Sequence, residues 1–405
     1  MEKKNKFLPY GRQNVKDRDI QSVLDVLRSD FLTTGPAVGK FENKMSEVTD
    51  SGYAISCTSG TAGLHLATLA LGIGEGDLVV VPSITFLATA NAPRIAGAEI
   101  IFCDVNPETG LMEPGNLQAA IERGGEKIKA VYAVHLGGQS CDLAEIASLA
   151  KANDMFIVED ACHALGTRYR QADGQLGIIG DCKETDMAVF SFHPVKTITM
   201  GEGGCVTTNN EELSHRVKTF RDNGIVRTTD KFKNNELATD SKGLSNSWYY
   251  EMHDVGLNYR ASDLQCSLGE SQLKSLDNFV SERQKLTNHY DESLKRINLP
   301  YLRPVKRQVN CEPAWHLYQV LIDFEKRKID RNKVISGLSE RGVGSQVHYI
   351  PVHLQPYYRE RYGKISLEGA EKYYSRCLSL PLFPSMTYTD VDYVIQTLVE
   401  IIDTN

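Results

Sequence analysis

Between Tyr53 and Thr208 short apolar runs alternate with stretches of helical periodicity, and this rhythm restricts the fold more than any other property of the chain. The runs lie at residues 53–57, 78–82, 99–102, 130–134, 155–159, 187–192 and 204–207, each only four to six residues long. Runs of that length separated by helical patterns read as strands joined by crossovers. They predict an α/β fold with a mostly parallel sheet and helices on both faces. In such sheets ligands bind beyond the carboxyl ends of the strands, so the residues that follow each run are the first place to look for chemistry.

Three of those places carry suitable groups. The stretch Phe190-Ser191-Phe192-His193-Pro194-Val195-Lys196 leaves a strand, delivers one lysine and then turns through Gly201-Glu202-Gly203-Gly204. Lys196 is thereby placed to hold a cofactor aldehyde covalently, provided the site depresses an amine pKa that is ~10.4 in water. A structural lysine is the alternative. The run 155–159 ends at Asp160, where a carboxylate can keep a pyridine nitrogen protonated. Thr58-Ser59-Gly60-Thr61-Ala62-Gly63-Leu64 follows the strand Tyr53–Cys57 and opens an apolar helical stretch. Free amides and hydroxyls at such a helix start bind phosphate, or serve as a plain cap. A phosphate loop, a carboxylate and a lysine in this chain order point together to pyridoxal 5'-phosphate.

With those residues on the page, the chain resembles the DegT/DnrJ/EryC1/StrS sugar aminotransferases from about residue 8 to residue 384. The segments 9–13 (PYGRQ), 30–36 (DFLTTGP), 193–199 (HPVKTIT), 248–252 (WYYEM) and 348–353 (HYIPVH) resemble one subgroup. Its members are the transaminases that make UDP-4-amino-4,6-dideoxy-N-acetyl-beta-L-altrosamine in pseudaminic acid synthesis. The resemblance implies an aspartate-aminotransferase-like large domain of PLP fold type I with a mostly parallel central sheet, and a smaller α+β C-terminal domain. Residues 1–260 would form an N-terminal arm and the large domain. Residues 261–405 would form a linking helix and the small domain. Lys196 would hold the cofactor and move the proton, and Asp160 would pair with the ring nitrogen. His163 would hydrogen-bond the ring's phenolic oxygen, Phe86 would stack on the ring, and Gly60, Thr61 and Ser191 would hold the phosphate. Asn258 would reach the cofactor of a partner subunit, making a homodimer with shared sites. Tyr10, Thr33, Thr34, Tyr349 and His353 would touch the substrate, a UDP-linked 4-ketosugar aminated at the expense of L-glutamate. A relative acting on another ketosugar, or a silent binding relative, are the alternatives; a dehydratase branch carries His in place of the lysine.

Composition excludes other classes. With 24% charged residues and a net charge of -7, no nucleic-acid-binding surface is indicated, and Lys3-Lys4 and Lys326-Arg327-Lys328 read as solvated edges. Nine Cys without a CxxC pair suggest free thiols in a reducing compartment. No apolar stretch approaches a membrane span, and residues 1–6 lack a signal-peptide core, so a cytoplasmic enzyme is expected. His348 and His353, five apart with Pro351 between them, do not form a helical metal pair, and no metal site is expected. Residues 228–247, polar and without periodicity, predict a surface excursion. A helical pattern over 261–296 leads to strand candidates at 318–322 and 345–349.

Overall fold

The computed structural model describes residues 7–403, and residues 1–6 lie outside them. The central sheet has seven strands in the order Tyr53–Cys57, Gly204–Thr208, Met187–Ser191, Phe156–Asp160, Ile128–Val134, Leu78–Pro82, Glu99–Cys103. Gly204–Thr208 runs antiparallel to both neighbours and every other pairing is parallel. The expected mostly parallel α/β sheet is therefore present. Central strands are covered on both faces, which is why they read as unbroken apolar runs: Val79, Val80 and Val81 are all fully buried. Each contributes ~1.5–3 kcal/mol by leaving water.

Two glycines let the strand ends crowd together at the site. A Cβ on Gly204 would meet Ser59 O at 2.4 Å, and one on Gly60 would meet Ser191 Cβ at 2.9 Å. The helix Gly60–Ala70 thus begins directly against the ends of Met187–Ser191 and Gly204–Thr208, capped by the Ser59 side chain, which accepts the Ala62 N–H at 3.1 Å.

Two hydrophobic cores are present. The larger surrounds the seven-stranded sheet; the smaller gathers a three-stranded antiparallel sheet, Leu302–Pro304, Tyr318–Ile322 and Cys377–Leu380, with the helix Tyr388–Asp403. The helix Leu276–Ile297 joins them: Leu276 and Phe279 belong to the first core, Leu286, Tyr290 and Leu294 to the second. Leu8 also packs in the second core.

The structure corrects two element expectations. The helical pattern over 261–296 is two helices, Asp263–Leu273 and Leu276–Ile297, broken where Arg18 donates to Ser271 O and to the Ser275 hydroxyl. Residues 345–349 are not a strand. They make one bridge, Gln346 to Ser379, because the Gln346 side chain takes up the Val347 N–H at 2.9 Å and Pro351 offers no donor beyond it. Residues 228–247 form a mostly exposed excursion with a short helix, Asn235–Ala238. Its base is pinned by Glu251, whose carboxylate accepts the N–H groups of Lys233 and Asn234 at 2.8 Å. No described helix is long and apolar enough to cross a membrane, and all nine cysteines are unpaired thiols.

Candidate active site

A cleft of about 560 Å³ opens at the carboxyl ends of the strands, and Lys196, Asp160, Gly60, Thr61, Ser191, Phe86, His163, Tyr10 and Tyr349 all line it. The strand Met187–Ser191 ends in a loop that folds back on itself. Phe192 donates to Gly203 O at 2.9 Å, Met200 to Phe192 O at 2.9 Å and Lys196 to His193 O at 2.8 Å. This closed loop aims Lys196 inward. Burial pushes the Lys196 ammonium below its ordinary value, while the neighbouring Cys162 and Asp160 oppose that shift. Among the described residues its amine makes no hydrogen bond or ion pair.

Asp160 ends its strand and is buried. Thr89 Oγ1 donates to Asp160 Oδ2 at 2.6 Å and the Cys162 N–H to Oδ1 at 3.2 Å, so the carboxylate is fixed in direction without being neutralised by a cation. Thr89 lies on the helix Leu87–Ile95, whose first turn follows Phe86. Nothing in the sequence marked Thr89; its role comes from a tertiary approach. Phe86 is 55% exposed, a position for contact with a ligand and not for core packing.

Gly60 and Thr61 begin a helix, where the first backbone N–H groups have no intrahelical acceptor, and the Ser59 side chain satisfies only that of Ala62. Alongside lies Ser191, whose Oγ would be 3.4 Å from a Cβ on Gly60. Helix-start amides, a hydroxyl and a space that a single methyl would fill make a phosphate cradle.

His163 lines the cleft. Its Nδ1 accepts the Gly137 N–H at 3.3 Å and its Nε2 lies 3.1 Å from Tyr349 Oη, so both ring nitrogens are engaged within the protein. Burial first, then Lys196 and His348, hold its pKa well below the ordinary value. His316 packs beside it with ring centroids 4.5 Å apart, and His348 is pushed down to about 3 by burial and by Lys196. Neither histidine was singled out as a ligand contact from the sequence. Tyr10 packs against His348 at 5.4 Å.

Three expected substrate contacts lie outside the cleft, as does Asn258, which was expected to reach a partner's cofactor. His353 is buried outside the cleft, its Nδ1 2.5 Å from Ser83 Oγ. Thr33, Thr34 and Asn258 are exposed and do not line the cleft of their own subunit. No group of three or more His, Cys, Asp or Glu able to hold a metal occurs among the described residues.

A fold type I scaffold with a buried lysine, a buried carboxylate and a helix start beside a serine hydroxyl at the strand ends fits a pyridoxal-phosphate enzyme. The chain belongs to the DegT/DnrJ/EryC1/StrS aminotransferase family, whose profile matches residues 13–399. It is 36% identical over 408 residues to the spore coat polysaccharide biosynthesis protein SpsC of Bacillus subtilis, covering 99% of each chain. Its structure superposes on that of Helicobacter pylori PseC, an aminotransferase of pseudoaminic acid biosynthesis, with a TM-score of 0.87. The identity there is 26%, over 99% of this chain and 100% of that one. The PLP form of Spr1654 from Streptococcus pneumoniae superposes with a TM-score of 0.83 at 26% identity, over 98% of this chain and 99% of that one. Pyridoxal 5'-phosphate is the cofactor of this family, and the donor set described above fits it.

Proposed function

We propose that this aminotransferase moves the amino group of L-glutamate to C4 of UDP-2-acetamido-2,6-dideoxy-beta-L-arabino-hex-4-ulose, giving UDP-4-amino-4,6-dideoxy-N-acetyl-beta-L-altrosamine. Lys196, desolvated and facing Asp160, is the observation that carries the transfer chemistry. When bound, the cofactor supplies an aldehyde that takes up the amino group and a cationic ring that withdraws electrons from the substrate carbon. Lys196 Nζ, favoured in its uncharged form by burial, would hold that aldehyde and, as a free amine, would take the proton from the substrate carbon and return it. Asp160, aligned by Thr89, keeps the proton on the ring nitrogen. Gly60, Thr61 and Ser191 would hold the phosphate through amides and a hydroxyl, and the exposed Phe86 ring would pack against the cofactor. Tyr10 and Tyr349 line the same cleft.

The choice of sugar draws on the five segments that resemble the pseudaminic acid subgroup and on the full-length likeness to PseC. The likeness to SpsC, named for spore coat polysaccharide, favours as a second reading another nucleotide-linked ketosugar. Soluble homodimers in the cytoplasm, with Asn258 serving the partner's cleft, complete the proposal. The deciding experiment incubates the enzyme with glutamate and several UDP-ketosugars and identifies products by mass spectrometry and NMR. The altrosamine product is expected; amination of a different ketosugar with the named one untouched refutes the substrate assignment.

A further inference from the structure

A backbone N–H can only donate, so the Gly137 contact at 3.3 Å makes His163 Nδ1 an acceptor. With the ring uncharged, its proton resides on Nε2 and is donated to Tyr349 Oη, 3.1 Å away. The acceptor side of Tyr349 is then filled from within the protein. Its own O–H has no acceptor among the described residues, and the ring lines the cleft. Burial, followed by Asp160, Cys162 and Tyr10, keeps the phenol protonated.

The lock is built into the backbone. Gly137 sits at φ 70°, and a Cβ there would meet Gln319 Oε1 at 2.4 Å. Gly138, at φ 103°, would collide with Ala314 O at 2.3 Å. A two-glycine turn that other residues cannot adopt is therefore what presents the Gly137 N–H to the imidazole. His316, at 4.5 Å between centroids, and Tyr349, at 6.0 Å with planes 26° apart, confine the ring. The charged and titratable groups around the pair are Lys196, His348 and His316 near His163, and Asp160, Cys162 and Tyr10 near Tyr349.

We propose that Tyr349 is the hydrogen-bond donor that this cleft presents to an anionic or carbonyl oxygen of its ligand, and that His163, locked as the Nε2–H tautomer by Gly137, is the positioning residue behind it. The oxygen belongs either to the cofactor ring or to the ketosugar. This rests on the reading of the cleft as a cofactor-dependent aminotransferase site, and its test separates the two.

Nitrogen-15 NMR of the histidine-labelled holoenzyme reads the lock directly. His163, assigned by its loss in His163→Phe, should be neutral with Nδ1 bare and Nε2 protonated. A protonated Nδ1 or an imidazolium overturns the proposal. Absorbance of the bound cofactor against pH, without sugar, reads the first ligand oxygen. If Tyr349 donates to the cofactor, the near-isosteric Tyr349→Phe raises the pH of that transition by about 1–2 units, the loss of one charge-assisted hydrogen bond. If it donates to the sugar, the transition stays put and KM for the UDP-4-ketosugar rises about tenfold. In either case His163→Phe shifts the same quantity, and the double variant shows no additive effect. A transition and a ketosugar KM both unmoved in Tyr349→Phe overturn the proposal. A wild type that aminates no UDP-ketosugar refutes the substrate reading alone, since the NMR and absorbance measurements need no sugar.

Discussion

Lys196 is the residue on which most of the chemistry depends, and its burial has a consequence for stability as well as for activity. Its folded-state pKa is lowered, so between that pKa and the ordinary lysine value the unfolded chain binds more protons than the folded one. Stability of the cofactor-free protein should therefore rise with pH across that window, the burial cost being fully relieved only above the ordinary value. Lys196→Met has no such dependence. It should melt higher than the wild type at neutral pH, with the gap closing as the buffer is made alkaline, and it should have no turnover. Borohydride reduction of the wild-type holoenzyme should label Lys196 and no other lysine. A label elsewhere, or a melting gap that widens with pH, would remove Lys196 from its assigned place. Residues of this kind were legible in the sequence because a strand end fixes where they point: Asp160 and Lys196 come after apolar runs and Ser191 lies at the end of one. His353 was not, since a motif that resembles a substrate loop does not reveal that its imidazole turns toward Ser83. Thr89 was invisible for the opposite reason, its partner Asp160 being 71 positions away.

At the scale of elements, the start of the helix Gly60–Ala70 has to accept a phosphate while packed against two strand ends. A methyl group at position 60 would press on Ser191 Cβ at 2.9 Å and on Cys162 Sγ at 3.0 Å. It would occupy the cradle while leaving a helix-compatible backbone. Gly60→Ala is therefore expected to keep its circular dichroism spectrum and lose cofactor affinity by about tenfold, the effect of disturbing one charge-assisted hydrogen bond. Equilibrium dialysis against pyridoxal 5'-phosphate measures this. Gly115→Ala is the control, since a Cβ there meets nothing within 4 Å. Unchanged affinity in Gly60→Ala would exclude this helix start as the phosphate site. Periodicity revealed that helix and the sheet beneath it, because both are written in the local pattern of apolar residues. It could not reveal that residues 345–349 make only one bridge, or that the 261–296 helix breaks at Lys274 and Ser275. Those outcomes depend on Gln346 bonding its own backbone and on Arg18 arriving from the N-terminal region.

For the whole molecule, the electrostatics of a single cleft are incomplete. Lys196 is the one lysine among its described lining residues, no arginine lines it, and Asp160 and Glu202 are acidic. The proposed ligands are a phosphate, a dicarboxylate and a nucleoside diphosphate, all anions, and in the proposed dimer further donors would come from the partner subunit. Asn258 is exposed, lies two residues before Arg260 in the chain, and is held by a backbone bridge to Asp222. A two-fold dimer would let such a residue serve the other subunit's site. If so, Lys196→Ala and Asn258→Ala proteins, each strongly impaired alone, should complement one another when subunits exchange. In a heterodimer one site carries both lesions and the other carries neither. Equal mixing to completion makes half of the dimers hetero, so activity should return to about a quarter of the wild-type level per site. Native mass spectrometry verifies the exchange. Heterodimers that form without recovering activity, with Asn258→Ala impaired on its own, would show that Asn258 acts within its own subunit and that the missing donors come from elsewhere.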